Sequence, residues 1–220
     1  METWQKDFIH FIFEEQALKF GEFETKSGRL SPYFFNAGGL NSGDACNELG
    51  KFYAKAIKHF IGSDVDIIYG PAYKGIPLSV MTSMQLEGLG ASTSYCFNRK
   101  EAKDHGEKGN LVGKIPDIGS RVVIVDDVIT AGTSIRETME LLKNIRGITI
   151  KGVVVAIDRQ EKGVEKPISA LQEIKSLYDI DVFSIVKMEQ IIEMLRASEL
   201  QGVSDKALAL MQKYRTMYGA

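Results

Sequence analysis

The chain has little of what would make it a disulfide scaffold, a zinc protein or a membrane protein. Its 220 residues include two cysteines, three histidines, one tryptophan and five prolines. Cys46 and Cys96 stand far apart in apolar contexts, so neither a disulfide framework nor a cysteine-based zinc site is expected. His10 and His59 fall on expected helices without companion ligands and read as structural. No apolar run approaches ~20 residues, the length that spans a bilayer. The net charge of −2 gives no global pull toward nucleic acid or an anionic membrane, so any basic site is local. No Gly-x-x-x-x-Gly-Lys-Ser/Thr motif occurs, which argues against a P-loop kinase. Near the N-terminus, Glu2, Asp7, Glu14 and Glu15 interrupt the apolar residues, unlike a signal or transit peptide. A soluble cytoplasmic protein is expected. There is no internal repeat, low-complexity tract or linker, so residues 1–220 are read as a single domain.

What is present is an alternation of strand and helix patterns. Residues 2–20 predict an amphipathic helix presenting Trp4, Phe8, Phe11, Ile12 and Leu18. Residues 22–40 predict a small β-rich flap with tight turns at Ser27-Gly28 and Ser31-Pro32, carrying Lys26, Phe34 and Phe35. After a helix over about 45–61, strands are expected at 65–69, 92–98, 122–125, 148–157 and 182–186. Helices are expected at 76–86, 134–145, 167–178, 188–197 and 205–218. This order implies an α/β fold with a central, mainly parallel sheet flanked by helices.

Every other motif is organised around Arg121–Ser134. Val122 to Val125 is a β-branched run suited to a central strand buried on both faces. Asp126 and Asp127 follow where such a strand opens into a crevice, adjacent rather than in an Asp-x-Asp arrangement. Thr130, Ala131, Gly132, Thr133 and Ser134 are small, so their backbone N–H groups can approach an anion closely. A helix then begins, with Ser134 and Glu137 spaced as a capping box and its dipole directed at the loop. Spacing alone supports an anion site beside two acids.

Two further segments carry charge. Gly70-Pro71-Ala72-Tyr73-Lys74-Gly75 repeats the strand, glycine turn and helix arrangement. Arg99-Lys100-Glu101-Ala102-Lys103-Asp104-His105-Gly106-Glu107 has almost no apolar residue to anchor it and is expected to form a mobile basic loop, continuing to about Gly113. Taken alone, the first also fits a helix-starting turn with a solvated lysine. The second also fits a solvated connection.

The stretch Arg121–Ser134 closely resembles the phosphoribosyl-pyrophosphate (PRPP) signature of the type I phosphoribosyltransferases: four apolar residues, two acids, two apolar residues and a Thr-Gly-Gly/Ala-Thr-like run. The resemblance implies that Asp126 and Asp127 bind the ribose hydroxyls. It assigns the 5′-phosphate to the loop of Val128, Ile129, Thr130, Ala131, Gly132, Thr133 and Ser134, and pyrophosphate to the turn with Tyr73 and Lys74. The Arg99-Lys100-x-x-Lys103-x-His105-Gly106 pattern is that of the orotate phosphoribosyltransferases. There the loop reaches the neighbouring subunit, so a homodimer sharing residues 99–113 is implied, with Lys103 and His105 joining Asp126 and Asp127 as catalytic residues. Lys26, Phe34, Phe35, Thr130 and Arg159 match positions around orotate, a flat anion needing an aromatic wall and a cation for its carboxylate. Without the resemblance, Phe34 and Phe35 also fit core and Arg159 a surface ion pair. Mg²⁺ is the implied cofactor, carried by PRPP and water with no direct protein ligand. The implied activity is transfer of phosphoribosyl from PRPP to orotate in pyrimidine synthesis. The alternatives are a phosphoribosyltransferase for another base and a PRPP-sensing regulator that binds nucleic acid, although no basic stripe is visible.

Overall fold

Apolar runs without polar alternation become the buried centre of the fold. The computed structural model describes residues 1–25, 28–103, 109–130, 132–163 and 167–220, the side chains of 102, 103 and 109 excepted. Of the expected site residues, Lys26, His105 and Ala131 lie outside the described residues, and Lys103 is described by its backbone alone.

The main sheet contains β3 (Ile67–Gly70), β4 (Ser94–Lys103), β5 (Gly109–Gly113), β6 (Arg121–Asp126), β7 (Thr149–Asp158) and β8 (Val182–Lys187). Its order is β5-β4-β3-β6-β7-β8, with every neighbour parallel except the antiparallel β4–β5 pair. The parallel pairing of Ile68 with Val123 and Tyr69 with Ile124 sets the carboxyl ends of β3 and β6 side by side. The connection after β3 leads to one side and that after β6 to the other, which makes this junction the topological switch point where ligands bind in open α/β sheets.

Side chains alternate between two cores. Ile68, Val123, Val125 and Val154 face the core built with α1 (Thr3–Glu14), α2 (Gly43–Phe60) and α6 (Met188–Arg196). Ile67, Tyr69, Val122, Ile124 and Val153 face the core under α4 (Thr133–Leu142) and α5 (Ala170–Tyr178). Burying both faces requires apolar residues at successive positions, which is why these strands lack a polar alternation. Helix α3 (Gly75–Gly88) links β3 to β4. Among the described residues, no helix is long and apolar enough to cross a membrane.

A separate antiparallel pair, β1 (Leu18–Glu24) and β2 (Leu30–Phe35), forms the small flap. It starts earlier than the sequence predicts. The helix expected over 2–20 stops at Glu14, Gln16 turns with φ 56°, and Leu18 enters β1 opposite Phe35. Leu18 is buried in either arrangement, so helical spacing cannot separate them. The segment expected as a loop over 99–113 is also corrected: Arg99–Lys103 continues β4, and Gly109–Gly113 pairs back on it as the sheet's edge strand. Asn98 pairs with Leu111 and Phe97 with Val112. An edge strand tolerates charged, exposed side chains, so composition alone misread it.

The C-terminal helix α7 (Asp205–Tyr218) packs on the flap. Tyr214 meets Tyr33 edge-on, with ring centroids 6.3 Å apart. The Lys162 amide donates to the Tyr218 carbonyl at 2.8 Å.

Candidate active site

The site is assembled where β6 and β3 end. Asp126 and Asp127 are 6% and 5% exposed, so each carboxylate must be hydrogen-bonded where it stands. Asp126 Oδ1 accepts from the Asp127 amide at 2.9 Å and Oδ2 from the Ser134 hydroxyl at 2.8 Å. The Tyr53 hydroxyl, reaching from α2, donates to the Asp126 carbonyl at 2.7 Å. Asp127 Oδ1 accepts from the Val128 amide at 2.8 Å, and its Oδ2 lies 2.6 Å from Lys74 Nζ. Burial, followed by the adjacent Asp127 charge, pushes Asp126 up to about 6, against the opposing bonds from Ser134 and the Asp127 amide.

The loop after the acids is pinned from both sides of the sheet. Val128 packs against one core and Ile129 sits in the other, so these two can offer a ligand only backbone groups. Thr130 and Thr133 are exposed. Gly132 caps α4 with φ 71°, a left-handed conformation that favours glycine, and a Cβ there would lie 3.1 Å from Ile174 Cδ1. The capping box expected from Ser134 and Glu137 does not form. Ser134 lies inside the first turn and spends its hydroxyl on Asp126, while Glu137 pairs with Lys100 at 2.8 Å. The first N–H groups of α4 lack a side-chain cap and suit an anion.

The second glycine turn is tight because its ends nearly touch. A Cβ on Gly70 would lie 1.9 Å from the Gly75 carbonyl oxygen, so no other residue fits without opening the turn. The Ala72 amide donates to Asn98 Oδ1 of β4 at 2.9 Å, and the Ala72–Tyr73 peptide is cis. Tyr73 is exposed. Lys74, expected at pyrophosphate from the resemblance, joins the two turns through Asp127. A cavity of about 310 Å³ lies alongside, lined by Asn98, Arg99, Lys100, Ser134 and Glu137 among others. It brings two of the expected basic residues beside the start of α4.

At the flap, Phe34 is 45% exposed and packs at a tilt on Phe23 with centroids 5.4 Å apart, whereas Phe35 is buried. Arg159 follows β7. Its side chain is 15% exposed and pairs with Glu161 at 2.8 Å, with its guanidinium 4.6 Å from the Tyr33 ring centroid. The ion pair compatible with sequence therefore exists, but it is largely shielded from solvent beside Tyr33 of the flap.

Tyr53, Asn98 and Glu161 were not singled out from sequence. Tyr53 and Asn98 meet partners 73 and 26 residues away and Glu161 meets Tyr33 128 residues away, and no local spacing signals such contacts.

Comparison with known proteins agrees with this geometry. The phosphoribosyl transferase domain model matches residues 40–188. The orotate phosphoribosyltransferase of Clostridium acetobutylicum is 46% identical over 223 residues, covering 100% of this chain and 99% of the relative. That of Vibrio cholerae is 50% identical over 220 residues, with both chains covered in full. The crystal structure of the Francisella tularensis orotate phosphoribosyltransferase superposes with a TM-score of 0.84 at 39% identity, covering 97% of this chain and 100% of that one. With an acid pair at the switch point, two glycine turns joined by a lysine and full-length relatedness at this level, the chain belongs to the orotate phosphoribosyltransferases, within the phosphoribosyl transferase domain family.

Proposed function

We infer that the protein transfers the phosphoribosyl group of PRPP to orotate, giving orotidine 5′-monophosphate and pyrophosphate in pyrimidine synthesis. The observation that carries this reading is the Lys74–Asp127 contact, which sets the cation of one glycine turn against the acid pair of the other. In the proposed reaction, the bond from C1′ to pyrophosphate breaks, C1′ becomes oxocarbenium-like, and N1 of orotate bonds to it from the opposite face while the N1–H bond breaks and its proton leaves with pyrophosphate. Asp126 and Asp127 hold the ribose hydroxyls and favour the developing positive charge. The backbone of 128–134, including the uncapped start of α4, holds the 5′-phosphate. Tyr73, Lys74, Arg99, Lys100, Lys103 and His105 surround the departing pyrophosphate. Catalysis is positioning and charge stabilisation, with no covalent intermediate on the enzyme.

The base lies under the flap against Phe34 and Phe35, with Lys26 and Thr130 beside it and Arg159 on its carboxylate. We read residues 1–220 as one domain, with 22–40 as this hood. We further propose a cytoplasmic homodimer in which the segment 99–113 serves the neighbouring subunit's site. Mg²⁺ is the proposed cofactor. It prefers hard oxygen donors and retains several waters. Both Asp126 oxygens accept hydrogen bonds and Asp127 Oδ2 is held by Lys74, so the chain suits an ion carried by PRPP and water. When bound, the ion supplies charge neutralisation at the leaving pyrophosphate.

The test is turnover of orotate, uracil and hypoxanthine with PRPP, with and without Mg²⁺. Orotate-dependent, Mg²⁺-dependent pyrophosphate release is expected. Activity confined to another base, or specific nucleic-acid binding with no transfer, would overturn the assignment.

A further inference from the structure

We propose that Glu161 is the positioning residue that sets the orientation of the Arg159 guanidinium for the carboxylate of the base. The proposal rests on the reading of Arg159 given above. Glu161 is a hub for three elements. Its Oε1 accepts from Arg159 Nε at 3.0 Å, from Arg159 Nη2 at 2.8 Å and from the Tyr33 hydroxyl at 2.7 Å. Its Oε2 lies 3.9 Å from Arg29 Nη1. Arg29, Tyr33, Arg159 and Glu161 are all largely shielded from solvent.

This arrangement selects one edge of a planar fork. A guanidinium carries five N–H donors, and two edges of it can each receive a carboxylate. Glu161 occupies the Nε/Nη2 edge, so the edge that carries Nη1 is turned away from it. The Tyr33 ring stacks on the same guanidinium and fixes its plane. Burial raises the Tyr33 phenol well above its ordinary pKa, so its hydroxyl stays a donor to Glu161. Plane and rotation of the fork are thus both set before any ligand arrives, and Tyr33 ties them to the flap strand that bears Phe34 and Phe35.

The backbone is bent to make this contact. Gln160, between Arg159 and Glu161, has φ 52°, an uncommon conformation for a residue with a side chain. The turn is held by three bonds. The Gln160 amide donates to Asp158 Oδ1 at 2.9 Å, its side chain accepts from the Glu189 amide at 2.9 Å, and its carbonyl accepts from the Ala220 amide at 2.9 Å. The left-handed residue folds Glu161 back onto Arg159. Tyr214, whose ring meets Tyr33 edge-on, lies beside the pair.

The test compares Glu161→Ala, Glu161→Gln and Arg159→Ala by steady-state kinetics and melting temperature. Glu161→Ala is expected to raise the orotate KM roughly tenfold, as for a misaligned charge-assisted contact, with the PRPP KM within about twofold. Glu161→Gln keeps an acceptor oxygen at the same reach and is expected to restore the orotate KM to within about threefold of the parent. An orotate KM that is unchanged or lowered in Glu161→Ala would overturn the proposal, as would equal rises in both KM values, which a merely structural role produces. If Glu161→Ala does not fold, Glu161→Asp takes its place: its carboxylate is one methylene short and is expected to raise the orotate KM, and no rise overturns the proposal. Arg159→Ala separates the two levels, since an orotate KM unaffected by it removes the base-site reading itself.

Discussion

Lys74 Nζ lies 2.6 Å from Asp127 Oδ2, joining residues 53 positions apart at the carboxyl ends of adjacent strands. The lysine side chain is 54% exposed, so the pair contributes at most about 1 kcal/mol to folding. Its consequence is geometric: one cation is held between the acids and the turn proposed to face pyrophosphate. Lys74→Ala is therefore expected to raise the PRPP KM roughly tenfold, the loss of one charge-assisted contact, with little change in melting temperature. An unchanged PRPP KM would remove Lys74 from the site.

Asp126 makes the fold pH-sensitive in a defined direction. Its pKa in the folded chain, about 6, stands above its ordinary 3.8 because of burial and then Asp127. The folded state therefore keeps a proton that the unfolded state has released. The stabilising contribution of this group is complete below about pH 3.8 and is lost as pH rises through 6. Asp126→Asn, a mimic of the protonated form, is expected to gain on the order of 2–3 kcal/mol over the parent at pH 7–8, with the gap closing toward pH 4. Urea titrations across that range provide the check. A gap independent of pH would contradict the linkage.

Ser134 donates to the Asp126 carboxylate and so opposes that rise. Ser134→Ala is expected to move the acidic limb of the activity profile to higher pH, because the proposed role of Asp126 at the ribose needs the charged acid. The lost bond costs roughly 1 kcal/mol of stability. A limb that stays in place would mean that another group sets it.

Gly70 admits no side chain. With the Gly75 carbonyl oxygen 1.9 Å from a notional Cβ, Gly70→Ala must open the turn proposed to hold pyrophosphate. Strain of about 1–3 kcal/mol and a more than tenfold rise in PRPP KM are expected, read from thermal melts and initial rates. Normal PRPP binding in this variant would show that the turn is not needed closed.

Lys103 is proposed to act on the leaving group, late in the reaction. Lys103→Ala should lower turnover by at least about a hundredfold, while PRPP affinity by direct titration falls far less. A variant with parental turnover would refute that role.

The strand and acid pair were legible from local pattern. Val122–Val125 is apolar at every position because both faces are buried, and an acid pair after such a strand marks a crevice. The edge strand Gly109–Gly113 was not legible, since two apolar residues between glycines are compatible with either loop or edge. The misread start of the flap has a similar origin: Leu18 is apolar under both assignments, and only its pairing with Phe35 decides between them.

The sequence by itself determined the alternation of strands and helices, the loop of small residues after the acid pair and the residue types around it, because each depends on neighbours within a turn or two. Only the tertiary structure decided that Lys74 meets Asp127, that Tyr53 supports Asp126 and that Glu161 ties Arg159 to Tyr33. Those pairings follow from which strands lie side by side and how the flap and α7 close over β7. Sheet order and packing are cooperative properties of the whole chain, and no local spacing encodes them.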